Sequence, residues 1–475
     1  MKALVSAAAI AALIAAYTKF NRRRSPELLS PDTYSLVNYG EADRVVADYN
    51  ALAERAGAIA ADLGARYQEA FFQLVYWPIM ACANLNELYV TAGKNRLYGE
   101  QGRTATNVLA ERVRELFAID AELMRRYNEE LAGGKWNHFA DQVHIGYTYW
   151  QQPPRQTMPA VVEIHPSTEP ALAVAVEGKR ESWGPGNEGP GSAVLPVIDV
   201  FANQARRVEV FNRGLEPFSF TARTTRPWLH VQPDRGVVDT QTVLSVSVDW
   251  ERAAAGAHRE SLTIEDDRGA SIVVQVPVFS PVSAARQEIH GFVETDGHIS
   301  IEAEHFSRAV ESGGITWQVL QDFGRTLSGV TPVPVTAASQ VPRGGAPRLE
   351  YDLFLFSAGE ISIHLITAPS ADFVPGRGLR LAVSMDGSEA RIVDLHSDPE
   401  RVADWERTVA DSVRQTLIRQ AVATPGRHVL KIWMVDPGVV LQKIVVDLGG
   451  LRPSYLGPPE TPFSLGSGTG PPPPP

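Results

Sequence analysis

The chain has 475 residues, room for about three domains at the usual size of roughly 100–200 residues each. Apolar residues make up 44% and charged residues 21%, the composition of an ordinary globular protein with ample core material. A net charge of −11 leaves no basic field to attract nucleic acid or anionic lipid, and a single cysteine, Cys82, excludes an internal disulfide and a cysteine-cluster zinc site.

The opening "MKALVSAAAIAALIAAY" is an Ala-rich apolar run of signal-peptide length with one lysine before it. It is short for a membrane span, which needs about 20 apolar residues. The arginine cluster of "TKFNRRRSPELL" follows at once and opposes export in that orientation. The expectation is an Ala-rich helix of the first domain, with a cleaved signal peptide as the alternative.

Residues 41 to 132 carry helical periodicity. Val45, Tyr49, Leu52, Ala56, Ile59 and Leu63 recur every three or four positions and so share one helical face. Leu109, Val113, Leu116, Leu123 and Tyr127 repeat that pattern before "AGG" stops the helix. Between them "FFQLVYWPIMACANLNELYVTAGKNRLY" is apolar on most sides, which predicts a buried central helix bent at Pro78. Helices joined by short connections imply an antiparallel bundle over residues 1–154. More apolar surface than one core needs, notably along "FFQLVYWPIMACANL", suggests a face that meets a partner or a second copy of the chain.

The bundle ends in "GKWNHFADQVHIGYTYWQQPP", dense in aromatic and polar groups. His138 and His144 stand six apart, which matches neither the i, i+4 spacing of a helical zinc pair nor a Cys/His cluster. The stretch has two readings. Tyr147, Tyr149 and Trp150 either wedge into a domain contact and are mostly buried, or face a cleft as substrate-contact residues holding a sugar, for which a ring with an apolar face and a polar edge is suited. Neither reading gives this stretch a chemical step.

After residue 155 the helical period disappears. Residues 155–194 read as a linker and extended connection, with "GPGNEGPG" as an exposed loop. Over 195–285 short alternating segments such as "RRVEVFN", "FSFTART", "SLTIED" and "SIVVQVPV" alternate with turn residues at intervals of about ten, as in an all-β sandwich. A second β domain spans 286–456, its clearest strands in "HISIEAEHF", "RLEYDLFLF", "EISIHLIT", "LRLAVSMD", "HVLKIWMV" and "LQKIVVDLG". The Pro/Gly-rich tail 457–475 reads as disordered. The fold class is therefore multidomain α + β: an antiparallel helical bundle followed by two β-sandwich modules.

Several of these segments resemble known families. "RPWLHVQPDRG" with "VSVDWERAAAGAHRESLTI" is similar to immunoglobulin-like modules that carry a tryptophan before a Pro/Gly turn. "IEAEHF" and "PGRHVLKIWM…LQKIVVD" resemble the two ends of a jelly-roll carbohydrate-binding module. Taken in order, "FFQLVYWPIMACANLNELYVTAGKNRLYGEQGR", "GGKWNHFADQVHIGYTYWQQPP", "GFVETDGHISIEAEHF", "PRLEYDLFLFSAGE" and "HVLKIWMVDPGVVLQKIVVDLGGLRPSYLGPPE" resemble the C-terminal half of glycoside hydrolase family 115, the xylan α-1,2-glucuronidases.

In that family the catalytic carboxylates lie on a (β/α)8-like barrel that precedes the bundle, and nothing in these residues reads as eight repeated βα units. The resemblance implies an accessory C-terminal region for hemicellulose degradation, inactive alone, with no catalytic residue assigned and no cofactor required. It implies as partners a separately encoded catalytic half and a glucuronoxylan-type polysaccharide, and an extracellular or periplasmic location. A free-standing carbohydrate-binding or scaffold protein of the cell exterior is the alternative. The jelly-roll resemblance further implies a structural calcium held by Glu302, Glu304 and Asp447, at the usual oxygen distance of about 2.3–2.6 Å.

Overall fold

The computed structural model describes residues 2–149, 151–185, 191–281, 289–396, 401–465 and 469–470, the side chains of 2–6, 401–404 and 469–470 excepted. They fall into two compact units. The first comprises 1–195, 206–246 and 261–275, and the second 196–205, 247–260 and 276–475.

The first unit begins with helices α1 (Lys2–Asn21), α2 (Glu41–Asp62), α3 (Ala65–Phe71), α4 (Trp77–Gln101) and α5 (Thr106–Arg125). The N-terminal Ala-rich run is a bundle helix here. Leu13 of α1 is fully buried, in one cluster with Leu52 and Ala56 of α2, Phe71 of α3, and Val75 and Ile79. No helix among the described residues is long and apolar enough to cross a membrane. The α2 seam packs as its spacing predicts: Val45, Tyr49, Leu52 and Ala56 are all buried.

The bend expected at Pro78 takes a specific form. Residues Phe72–Tyr76 make one π-helical turn, and α4 starts directly after it with Pro78 in its first turn. Proline has no N–H to give to the preceding turn, so a widened turn there costs no hydrogen bond that proline could have made. Helix α4 ends at Gly102, whose φ of +69° suits glycine and whose N–H returns to the Gly99 carbonyl.

The passage expected to be a linker is instead part of the sandwich. Strands β1 (Leu172–Val176), β2 (Ser182–Trp183) and β3 (Ala193–Val194) lie within it. Leu172 to Val176 pair in register with Asn212 to Val208. All five β1 residues are buried, so periodicity of two, the usual signature of a half-buried strand, is missing from the sequence. The centre of the "GPGNEGPG" loop, 186–190, lies outside the described residues.

The sandwich continues with β4 (Ile198–Asp199), β5 (Arg206–Asn212), β6 (Phe218–Thr224), β7 (Leu229–Gln232), β8 (Arg235–Val238), β9 (Gln241–Val248), β10 (Gly256–Asp266) and β11 (Ser271–Ser280). One sheet has the order β2-β1-β5-β9-β7 and the other β3-β11-β10-β6-β8, with β4 also on β11. Alternation is plain in β6, where Phe218, Phe220 and Ala222 are buried and the residues between them exposed. Bundle and first sheet are joined through Arg103. Its fully buried guanidinium meets Glu209 at 2.6 Å and Gln101 at 2.5 Å and lies 4.3 Å over the Phe211 ring.

The second unit carries β12 (His290–Val293), β13 (His298–Glu302), β14 (Arg308–Val310), β15 (Thr316–Leu320), β16 (Gly329–Val333), β17 (Arg348–Leu355), β18 (Gly359–Thr367), β19 (Arg380–Met385), β20 (Arg391–Asp394), β21 (Arg414–Val422), β22 (Gly426–Met434), β23 (Leu441–Asp447), β24 (Phe463–Leu465) and β25 (Thr469–Gly470). One sheet runs β20-β19-β22-β17-β12-β24-β25 with β14 on β17, and its companion β15-β16-β23-β18-β21 with β13 on β23. The core between them is built by strict alternation, as in Leu349, Tyr351, Leu353 and Leu355 of β17 and Ile361, Ile363 and Leu365 of β18. Each fully buried Leu or Ile contributes about 1.5–3 kcal/mol. Tyr351 keeps its polar end satisfied by donating to the Ala303 carbonyl at 2.7 Å.

One expectation is corrected here. The tail is not disordered from 457 onward: Phe463 and Ser464 pair with Phe292 and Gly291 of β12, and Thr461 N–H donates to the Ser300 carbonyl. Its last five prolines lie outside the described residues. The module also contains a helix, Arg401–Asp411. Gly291 lets β12 and β17 approach closely, since a Cβ there would stand 2.4 Å from the Asp352 carbonyl oxygen.

Candidate binding site

A cleft of about 460 Å³ opens in the helical part of the first unit. The π-turn over Phe72–Tyr76 sets the start of α4, and with it Trp77, whose indole N–H donates to the Leu123 carbonyl of α5 at 3.0 Å. Tyr127, one turn beyond Leu123, accepts from the Gln73 amide at 3.0 Å and lies 4.6 Å from Trp77, centroid to centroid. Phe139 stacks on Tyr127 at 6.1 Å with 17° between the planes, and Trp136 meets Phe139 edge-on at 5.7 Å. Trp77, Tyr127 and Phe139 thus make one wall of the cleft, with Trp136 packed against Phe139. Tyr17 of α1, Glu27 of the short 3-10 turn Pro26–Leu28, and Gln142 supply polar groups around it.

Residues Phe139 to Gly146, with Gln156 and Thr157, form a strap sewn over the helices. Asn128 of the helix end donates to Asp141 at 2.8 Å and accepts from Ala140 N–H at 3.0 Å. Gly146 N–H donates to the Tyr89 hydroxyl, and Gln156 accepts from the N–H groups of His144 and Ile145. Ile145 is fully buried and anchors the strap. His144 Nε2 sits 3.0 Å from both oxygens of Asp120, whose side chain is 4% exposed. Burial alone would lower the His144 pKa, but the Asp120 hydrogen bond and charge, with the Gln142 carbonyl at Nδ1, outweigh it and raise it. Cys82, in the cleft floor, has its thiol pushed up to about 11 by burial, so it is inert as a nucleophile.

The residues singled out in the sequence fare unevenly. Tyr147 is half-buried, but Tyr149 is 59% exposed, so burial of that side chain in a domain contact is corrected. Its hydroxyl bonds to Gln151 next to it, a local turn contact that needs no core. Trp150 lies outside the described residues. His138 is exposed and pairs with Asp141 at 2.6 Å, and His144 with Asp120, so each histidine holds a carboxylate and the two are not joined in a metal site. The stretch was singled out with reason, yet the rings that line the cleft are Phe139 from it and Trp77 and Tyr127 from elsewhere.

The calcium set in the second unit is also corrected. Strands β13 and β23 pair so that Glu302 faces Lys443 while Asp447 faces His298, four residues away. At about 3.3 Å per residue that is roughly 13 Å along the strand, too far for one ion to take both carboxylates. Glu302 is already neutralised: Lys443 donates to it at 2.7 Å and the Thr326 hydroxyl at 2.8 Å. Asp447 instead accepts from the N–H groups of Gly449 and Leu451 and closes a turn. Glu304 is buried beside His305, and His305 grips Glu460 at 2.8 and 2.9 Å. Among the described residues no group of three or more His, Cys, Asp or Glu is arranged to hold a metal ion.

Residues 291–460 match the family model of the Glycosyl hydrolase family 115 C-terminal domain. No curated protein matches the sequence. Among solved structures, a family GH115 4-O-methyl-α-glucuronidase, BtGH115A, described as specific for decorated arabinogalactans, aligns over 93% of this chain at 14% identity with a TM-score of 0.51. The alignment covers 39% of that enzyme, so the chain spans about two fifths of its length, and the likeness is one of fold. A family 35 carbohydrate-binding module from Clostridium thermocellum aligns over 31% of this chain and 97% of its own, at 13% identity and a TM-score of 0.23.

Proposed function

With residues 291–460 a family 115 C-terminal domain, we propose that this chain is the accessory, carbohydrate-contacting region of an α-glucuronidase system acting on hemicellulose, without catalytic carboxylates of its own. The family match over 291–460 carries the reading. The acids of that module support the non-catalytic part. A glycosidase pair needs one carboxyl held protonated and a second as base or nucleophile, about 5–9.5 Å apart. Glu302 is instead engaged by Lys443 and Thr326, and Glu460 is committed to His305. The partners proposed with it are a catalytic half encoded separately and a glucuronoxylan-type polysaccharide, in an extracellular or periplasmic setting. The decorated arabinogalactan named for the structural neighbour is a second polysaccharide class to include.

The test is direct. The purified chain is incubated with glucuronoxylan and with decorated arabinogalactan, and both release of 4-O-methylglucuronic acid and polysaccharide retention are measured. Retention without release is the expected result. Turnover abolished by replacing one of the chain's own carboxylates would overturn the accessory reading, and failure to retain either polysaccharide would overturn the carbohydrate reading.

A further inference from the structure

We infer that the bundle cleft is the seat of a neutral sugar ring, stacked on the exposed Phe139 ring and the half-buried Trp77 ring, with the buried Tyr127 ring packed behind them. This inference rests on the carbohydrate reading above and assigns it a place. The volume of about 460 Å³ lies in the ordinary range for small-ligand sites, about 300–1,000 Å³. Its shape suits a flat ligand. Tyr127, only 4% exposed, backs Phe139 at 17° and Trp77 at 51°, so the accessible part of the wall is Phe139 with the half-buried Trp77, and the site is not a closed box. A pyranose offers such a wall its apolar C–H face and turns its hydroxyls outward.

The polar groups around the wall match those hydroxyls. Glu27, which accepts no hydrogen bond among the described residues, and the exposed Gln142 border the same cleft as His144. They are acceptors or mixed donors, and the basic side chain that lines the cleft with them, His144, is already committed to Asp120. A uronate carboxylate would therefore meet Glu27 with no uncommitted cation among the lining residues named to pair it. An apolar peptide would bury Glu27 and Gln142 against groups that cannot bond them. A neutral ring satisfies both. Phe139 is 70% exposed, far more than a ring of its size needs to be, and it closes the outer end of the wall.

The experiment uses the full chain and calorimetric titration with xylotetraose, a neutral galacto-oligosaccharide, 4-O-methylglucuronic acid and tetramethylammonium. Phe139→Ala removes an exposed ring and leaves the fold intact, which circular dichroism checks. Binding of a neutral oligosaccharide, weakened about tenfold by Phe139→Ala and by a smaller factor in Glu27→Gln, is the expected outcome. Polysaccharide retention that neither substitution alters would overturn the cleft as the seat and leave the carbohydrate reading standing. Tighter binding of 4-O-methylglucuronic acid than of the neutral sugars would overturn the choice of ligand. Saturable binding of tetramethylammonium at the same wall would make it a cation site instead. No retention and no binding would remove both readings together.

Discussion

The helical part of the first unit and the jelly-roll of the second solve the same packing problem with opposite results. In the jelly-roll the side chains of two sheets interdigitate, and the void among Trp317, Val330 and Trp433 measures about 20 Å³. In the bundle α1, α4 and α5 converge on a space of about 460 Å³ that the strap borders without filling. Strand faces alternate strictly, so every second residue is committed to the core. Helix faces turn by 100° per residue, and a π-turn shifts them further, so rings such as Trp77 end half in and half out. A filled core holds a shape, and an unfilled one can hold something else.

The sharpest way to break this comparison is at the buried charges of the jelly-roll. Lys443→Met strands the Glu302 carboxylate with Thr326 alone and is expected to cost about 3–5 kcal/mol, read from urea denaturation. Adding Glu302→Leu should recover most of it, because the pair is then replaced by apolar side chains. If the double variant is no more stable than the single one, packing around Lys443 and not its charge explains the loss.

Leucine truncation compares the two cores directly. Leu430→Ala, in a filled core, is expected near the upper part of the usual range of about 2–5 kcal/mol, and Leu85→Ala, on the cleft wall, near its lower end. Equal losses would mean that the cleft is as tightly held as the core.

Protonation gives a smaller effect in both regions. The His144 pKa is raised above its ordinary value near 6.5, so its pairing with Asp120 stabilises fully below about pH 6.5 and is lost as pH rises through the higher folded value. His305 behaves alike: burial lowers its pKa, and Glu460, with Glu304 and Glu302, raises it further than burial lowers it. Asp120→Asn should flatten the fall in melting temperature with rising pH for the helical unit, and Glu460→Gln for the jelly-roll, each costing about 1.5–3 kcal/mol at low pH. An unchanged pH profile in either variant would refute the assignment for that region. The smallest change in stability is expected from Phe139→Ala, within about 0.5 kcal/mol by thermal melting, because the ring is mostly in water.

Much of the architecture could be read from residue order. The α2 seam, the stop at "AGG" and the alternation of β6, β17 and β18 all follow from spacing, while the jelly-roll ends were legible only through their resemblance to a known module. What could not be read has physical causes. β1 is buried on both faces, so "LAVAV" shows no alternation and was placed in a linker. "PFSL" pairs with β12 through backbone groups, which leave no mark on composition. The calcium set failed on register, since same-face residues on β13 and β23 say nothing of how far one strand slides along the other. For the cleft, the stretch bearing Phe139 and His144 was evident from its density of aromatics. Trp77 and Tyr127 join it only through the third dimension.

The pairing of β24 with β12 bears on how the protein is made. Strand β12 is paired on one side, at Phe292 and Val293, with β17, and on the other, at His290 to Phe292, with residues 463–465, over 170 positions later. A ribosome at roughly 5–20 residues per second delivers that last strand some ten to thirty seconds after the first has emerged. Through that interval one edge of β12 has its backbone donors and acceptors open to any passing strand. A synonymous slowdown of translation in the 400–465 region should therefore increase aggregation of nascent chains without altering any contact of the finished fold.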